Sequence, residues 1–243
     1  MLRQAAIVDF LAVTGFASVA ALAERFRVTP STIRRDLVGL EAANLVQRTH
    51  GGAFPVRGTE TPFQFKETLH PAEKRAIGEA MASRISDGQT VLLDAGSTTL
   101  EVARHLRAER LTVVTNDLRI GMEIVEGRRA HLVFIGGELL PSVYTMWGPA
   151  SVAQLANLRV SVAVLGADAV HADGIYNTTS YEIEQKRLMQ SIADEAYFVA
   201  DSSKFHRSTL VKVFDFDRFV AGITDEGLDP ALAATFPVPI VRV

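Results

Sequence analysis

Apolar side chains recur at helical spacing through the first part of the chain. Ile7, Phe10 and Leu11 share a face and predict a helix over 3–13, stopped near Gly15. Ser18 can cap a second helix running to Phe26, with Val19, Leu22, Ala23 and Phe26 as its apolar positions. Thr29 followed by Pro30 is a stronger start, a hydroxyl cap before a proline whose missing N–H costs nothing at the first helical position. Ile33, Leu37 and Leu40 then follow at i, i+4 and i+7 and predict a third helix to about residue 43, ended by Asn44 in a left-handed conformation. Residues 45–49 read as a short strand that turns at Gly51-Gly52 and returns through Ala53-Phe54.

Pro55 to Pro71 interrupts this pattern. Gly58, Thr59, Pro62 and Thr68 punctuate it, while Phe63, Phe65 and Leu69 are anchors, so the segment reads as a linker that docks in part. From Ala72 onward strands alternate with helices. Strands are expected at 90–93, 111–115, 132–135, 161–165, 196–200 and 210–214, and helices at 73–85, 98–106, 118–126, 150–158 and 181–193. Uncharged, valine-rich strands between amphipathic helices imply a sheet covered on both faces. The expected fold is an N-terminal winged helix-turn-helix over 1–57, a linker over 58–71, and a larger α/β domain over 72–243 with a mainly parallel sheet covered by helices.

With 243 residues, 48% hydrophobic and 22% charged, the chain is long enough for two such parts and too apolar for global disorder. It has no cysteine, which excludes a disulfide framework, a cysteine-ligated zinc finger and a cysteine nucleophile. The six histidines are dispersed and His171 with Asp173 lacks a third ligand, so neither a metal nor another cofactor is expected. The uncharged stretch 139–158 is broken by Pro141, Gly148 and Pro149 and makes no membrane span; with no leader pattern at the start, a cytoplasmic protein is expected. The net charge of −3 hides an asymmetry. Residues 1–57 carry seven arginines and no lysine against four acids, which gives +3 and leaves −6 beyond. A positive head on an acidic body fits a module that binds nucleic acid.

A recognition helix enters the major groove by its N-terminal half. With Ile33 directed inward, Ser31 and Arg35 point outward, Thr32 lies near them and Arg34 is on a flank. Ser31, Thr32 and Arg35 are therefore expected at base edges, where Arg reads guanine bidentately, and Arg34 on phosphate. Arg48 and His50, near the hairpin tip, are expected on adjacent backbone or minor groove. Asp36 is acidic beside these readers, and a salt link to a neighbouring Arg is the expected role. One small winged module buries too little DNA for high specificity, so a homo-oligomer, at least a dimer, is expected on operator half-sites about one helical turn apart or a multiple of it.

The chemistry of the body gathers after its strands. Asp94-Ala95-Gly96-Ser97-Thr98-Thr99 follows the first strand and opens a helix. Gly96 permits a tight turn, and first-turn amides with the Ser97, Thr98 and Thr99 hydroxyls offer donors to an anion. The lysine and spacing of a Walker A loop are absent, so nucleotide hydrolysis is unsupported. Asn116, Gly136-Gly137, Gly166 with Asp168, and Asp201 to Lys204 follow later strands, whose carboxyl ends face one crevice in a parallel sheet. Lys186 and Lys204 are candidate cations for a phosphorylated ligand, and Asp94, Asn116, Asp168 and Asp201 can take sugar hydroxyls or orient the lysines.

Thr32-Ile33-Arg34-Arg35-Asp36-Leu37 with Leu40-Glu41, and then Arg48-Thr49-His50-Gly51-Gly52-Ala53, resemble the winged helix of the DeoR family of bacterial transcriptional regulators. The 94–99 loop, Val113-Val114-Thr115-Asn116, Ile135-Gly136-Gly137, Leu165-Gly166-Ala167, Glu182 with Lys186-Arg187, Asp201-Ser202-Ser203-Lys204-Phe205 and Thr224-Asp225 resemble the sensor domain of the same family. The resemblance covers nearly the whole chain. It implies a sequence-specific DNA-binding repressor of a carbohydrate uptake or catabolism operon, relieved by a phosphorylated sugar or intermediate, and not an enzyme. The kinship of that sensor fold with ribose-5-phosphate isomerases implies that the 94–99 loop holds the phosphate and that Lys204 and Asp201 line the remainder. Two positions depart from the family: Asn44 stands where Gly is usual, and His206 where a small residue is usual, which bears on the sugar accepted. Two alternatives stay open. One is an isomerase-like enzyme carrying a DNA-binding head, for which Asp94, Asp168, Asp201, Lys186 and Lys204 supply the residue types; the other is an activator on the same fold.

Overall fold

The computed structural model of the chain describes residues 1–56, 60–128, 130–205 and 209–243, which form two compact units, Met1–Leu69 and His70–Val243. Arg57, Gly58 and Thr59 of the head and expected linker, and His206 of the expected pocket, lie outside the described residues.

In the first unit α1 (Leu2–Thr14), β1 (Ala17–Ser18), α2 (Val19–Phe26), α3 (Pro30–Ala42), β2 (Val46–Arg48), β3 (Gly52–Pro55) and α4 (Phe63–Thr68) follow in order. The hydroxyl caps form as the sequence predicts: Ser18 Oγ accepts from the Ala21 N–H at 3.1 Å, and Thr29 Oγ1 from the Thr32 N–H at 3.3 Å. Asn44 takes the left-handed conformation at φ 56°. Ile7, Leu11, Leu22, Ile33, Leu37 and Leu40 are fully buried and pack with Leu45 and Ala53 into one core. The hairpin of β2 and β3 is the wing, and β1 pairs with the other edge of β3. A two-residue strand has no periodicity to read, which is why β1 was not expected. Part of the segment expected as a linker is the helix α4; its Phe63 is buried, and Phe65 packs on the core.

In the second unit α5 (Pro71–Ala82), β4 (Thr90–Leu93), α6 (Ser97–His105), β5 (Leu111–Thr115), α7 (Leu118–Gly127) and β6 (Ala130–Phe134) come first. They are followed by β7 (Glu138–Leu140), β8 (Thr145–Trp147), α8 (Pro149–Leu155), β9 (Val160–Gly166), β10 (Ala169–His171) and β11 (Gly174–Asn177). Then come α9 (Ile183–Ser191), β12 (Ala193–Val199), β13 (Val211–Phe214), β14 (Ala221–Thr224), α10 (Pro230–Ala233) and β15 (Ile240–Arg242). Among the described residues seven strands make one parallel sheet in the order β15-β14-β12-β9-β4-β5-β6. The expected strand at 210–214 exists as β13, but it joins β10 and β11 in a separate antiparallel sheet. Lys212 interrupts its apolar run, the mark of a strand covered on one face only.

The topology positions the site. From β4 the chain steps outward to β5 and β6, returns on the other side of β4 with β9, and proceeds through β12, β14 and β15. The direction reverses between β4 and β9. Right-handed crossovers send the connections after these two strands to opposite faces, which opens a crevice at their carboxyl ends. Asp94 and Gly166 occupy those ends.

Candidate functional site

On the first unit, α3 buries Ile33, Leu37 and Leu40 and turns Ser31, Arg34 and Arg35 to solvent, with Thr32 half-buried. Neither Arg34 nor Arg35 has an ion-pair partner among the described residues. The hydroxyls of Ser31 and Thr32 cluster on Thr29 Oγ1, at 2.8 and 2.9 Å, and so stand together at the positive end of the helix. Asp36 does not face the readers. It receives Arg3 Nε at 2.5 Å and Arg3 Nη2 at 3.3 Å, which ties α3 to α1. His50 is exposed at the wing tip. Arg48 has a prior engagement: its Nε meets Glu41 Oε2 at 2.6 Å, and its backbone N–H donates to Glu41 Oε1 at 3.1 Å. The Arg48 hydrogen bonds hold the Glu41 carboxyl below its usual value. Arg48 thus anchors the wing to α3, and Glu41 offsets part of the charge expected there for DNA.

In the second unit the centre of the crevice is a buried ion pair. Lys186, from α9, donates from Nζ to Asp94 Oδ2 and, at 3.2 Å, to the Gly166 carbonyl. The Gly166 N–H donates to the same Asp94 oxygen at 3.0 Å. Asp94 is 0% exposed and Lys186 4%. Burial pushes the Lys186 amine down, but Asp94, Glu182 and Asp168 outweigh it and hold the amine above its ordinary range. Asp168 also accepts from the Thr178 N–H at 3.0 Å.

Beside this pair the 94–99 loop runs into α6. Gly96 sits at φ 148°, a conformation that only glycine adopts without strain, and α6 starts with no side-chain cap. Thr99 Oγ1 turns back to the Gly96 carbonyl at 2.9 Å, while Ser97 is buried and Thr98 half-buried in the same first turn. The Gly96 N–H itself is taken by Asp117 Oδ2 at 3.2 Å. Asp117, on the other carboxylate oxygen, caps α7 by accepting from the Arg119 and Ile120 N–H groups at 2.7 and 3.1 Å. Burial pushes this carboxyl up to about 6, against the three N–H donors that pull it down and with Asp94 adding to the rise. Asp117 was missed in the sequence, although an Asp directly before a helix start is a capping signal.

Asn116 and Gln185 meet on one atom. Asn116 Nδ2 donates to the Met146 carbonyl at 2.9 Å and Gln185 Nε2 to the same oxygen at 3.1 Å. Gln185 went unnoticed because its neighbour Lys186 carries the charge. Gly136 is bound by Ser151 Oγ at 2.6 Å and by Gln154, and a Cβ on Gly137, at φ 155°, would collide with Ser151 and Trp147. The Gly136 hydrogen bonds do not reach the Asp94–Lys186 pair, and Gly137 admits the close approach of Trp147 at the turn before β7. Asp201 is fully buried two strands away from β4 and accepts from the Ser203 N–H at 3.2 Å and from its hydroxyl. Burial pushes the Asp201 carboxyl up, but Lys204, the Ser203 hydroxyl, Lys74 and His70 outweigh it and hold it low. Lys74 is a buried lysine on α5. Ser202 binds Asp225 from its N–H at 2.6 Å and its hydroxyl at 2.8 Å, so this stretch forms a second polar cluster at the strand ends.

Among the described residues no group of three or more His, Asp or Glu side chains is placed to hold a metal ion. No helix among them is long and apolar enough to cross a membrane. A winged helix-turn-helix with exposed arginines on its third helix, followed by an α/β unit with polar groups gathered at a topological switch point, defines a DNA-binding regulator as the class. Residues 3–56 match the DeoR-like helix-turn-helix domain and residues 69–226 the DeoR C terminal sensor domain. The chain belongs to the DeoR family of transcriptional regulators. It is 35% identical over 230 residues to the transcriptional repressor AccR of Agrobacterium fabrum, covering 93% of this chain and 89% of that one. It is 30% identical over 226 residues to the glycerol-3-phosphate regulon repressor of Escherichia coli, covering 92% and 90%. Among solved structures, ribose 5-phosphate isomerase A of Methanocaldococcus jannaschii aligns over 55% of this chain and 54% of its own at 16% identity and a TM-score of 0.40, too remote a likeness to bear on chemistry.

Proposed function

We propose that the protein represses a carbohydrate uptake or catabolism operon in the cytoplasm and is released from its operator by a phosphorylated sugar or intermediate. The division of labour is between the head, 1–57, and the body, 72–243. Arg35 with Ser31 and Thr32 reads base edges, Arg34 takes phosphate, and the Arg48–His50 wing follows the backbone of the duplex. In the body, the open first turn of α6 receives the phosphate, and residues around the Asp94–Lys186 pair and Asp201–Lys204 take the rest of the ligand. The observation that carries this reading is an uncapped helix start, held by Gly96 and Asp117, beside a buried cation at the switch point of the sheet.

The names of relatives at 30–35% identity across both units support repression, and one of them is named for a phosphate ester regulon. Two copies at least are needed for specificity on a repeated operator. Release requires that the ligand bind the free arrangement more tightly than the DNA-bound one. Fluorescence anisotropy of the purified protein on genomic operator fragments, with and without phosphorylated sugars, tests the reading: a subset of esters should lower operator affinity, and deletion of the gene should raise target transcription. Operator binding indifferent to every phosphate ester would remove the sensor half of the account.

A further inference from the structure

We infer that Asn116 and Gln185, together with Asp94, read hydroxyl groups of the ligand, so that the body accepts phosphate esters of polyols and rejects phosphorylated acids. The inference rests on the phosphate-ester reading above and names which esters qualify. Asn116 and Gln185 are 1% and 3% exposed. Their amide orientations are fixed, because both NH2 groups donate to the Met146 carbonyl, and flipping either would bring oxygen against oxygen. Asn116 Oδ1 and Gln185 Oε1 are then buried acceptors with no hydrogen-bond partner, and so is Asp94 Oδ1. Buried polar atoms in folded proteins are nearly always paired, and orphans at a ligand crevice call for a donor from outside.

The three groups are neighbours by construction. Asp94 and Asn116 end the adjacent strands β4 and β5, and Gln185 precedes the Lys186 whose Nζ bonds Asp94. Three acceptors ask for three donors. A sugar or polyol hydroxyl supplies an O–H; a carboxylate supplies only lone pairs and would face a carboxylate and two carbonyl oxygens. Lys186 offers such an acid little relief, since its amine is already bound to Asp94 and the Gly166 carbonyl. Discrimination therefore comes as much from repelling the acid as from binding the alcohol.

Isothermal titration of the full chain tests this with glycerol 3-phosphate, ribose 5-phosphate and fructose 6-phosphate against 3-phosphoglycerate and phosphoenolpyruvate, with inorganic phosphate as reference. The expected result is that the best polyol ester binds at least about tenfold more tightly than either acid. Gln185→Met should lower that affinity about tenfold and leave inorganic phosphate binding as it was; the wild-type comparison stands without the variant if the variant fails to fold. An acid that binds as tightly as the best polyol ester, or a folded Gln185→Met protein with unchanged polyol affinity, overturns the hydroxyl-reading subsite alone. Failure of every phosphate compound to bind, inorganic phosphate included, overturns the phosphate reading and this inference with it.

Discussion

Arg34 and Arg35 stand in solvent on a helix whose opposite face is fully buried, whereas Lys186 lies buried against Asp94 at the end of a parallel sheet. The two placements suit ligands of different size. A duplex cannot be enclosed, so its readers must be exposed side chains on a rigid support, and their desolvation is deferred until DNA arrives. A small ligand can be surrounded. Groups that meet it can be desolvated in advance, provided that partners such as Gly166 and Lys186 hold the charge meanwhile. Cations stand in both units, arginine in one and lysine in the other, and their burial sets which kind of partner each suits.

The largest effect is expected where that buried charge is left alone. Lys186→Met should destabilise the second unit by about 3–5 kcal/mol in denaturant titrations, because Asp94 would remain buried without its cation. Lys186→Met combined with Asp94→Asn should recover most of the loss; no recovery would mean that the pair is not the source of the effect. Asp117 comes next. Its unfolded carboxyl releases a proton near the ordinary 3.8 and the folded one at about 6, so in this window the native state holds more protons and stability falls as pH rises. The fall amounts to about 3 kcal/mol and levels off above the folded value. Asp117→Asn should flatten the slope, measured by chemical denaturation at several pH values across that window.

In the head, Arg35→Ala should cost about 1–3 kcal/mol of operator affinity and relax base preference at one position per half-site. Arg34→Ala should instead weaken all sequences alike and reduce the salt dependence by about one counterion. Identical behaviour of the two variants would erase the distinction between reader and phosphate contact. The smallest effect is expected from Thr98→Ala, which should weaken ester binding by about 0.5–1.5 kcal/mol while ligand-free operator binding stays unchanged.

The head was legible in its sequence to a degree that the body was not, and the reason is the range of the interactions. Thr29-Pro30, Ser18 and Asn44 act on their own helix ends, so residue type and position suffice to read them. Strands β4 and β5 were also legible, because a continuous apolar run buried on both faces leaves little choice of boundary. By contrast, a glycine breaks the apolar run of β14, and β15 is three residues long after a proline-rich turn, so neither shows a pattern. The helix α4 was hidden by prolines and glycine around it. At the site, Lys186 and Asp94 could be named from sequence, but their pairing spans 92 positions and follows from the sheet order. Gln185 acts through a backbone carbonyl supplied by another element, which no local motif announces, and Asp117 is announced by local sequence only as the cap of its own helix, not as the acceptor for Gly96.

The central claim is that the outward arginines of the third helix select DNA sequence. It is tested most directly by mapping which genomic fragments the purified full chain retains at moderate salt, beside the Arg35→Ala variant. The account predicts a small set of fragments sharing a repeated half-site, lost or blurred in the variant whose fold is intact. Retention of all fragments in proportion to their length, by wild type and variant alike, would contradict it.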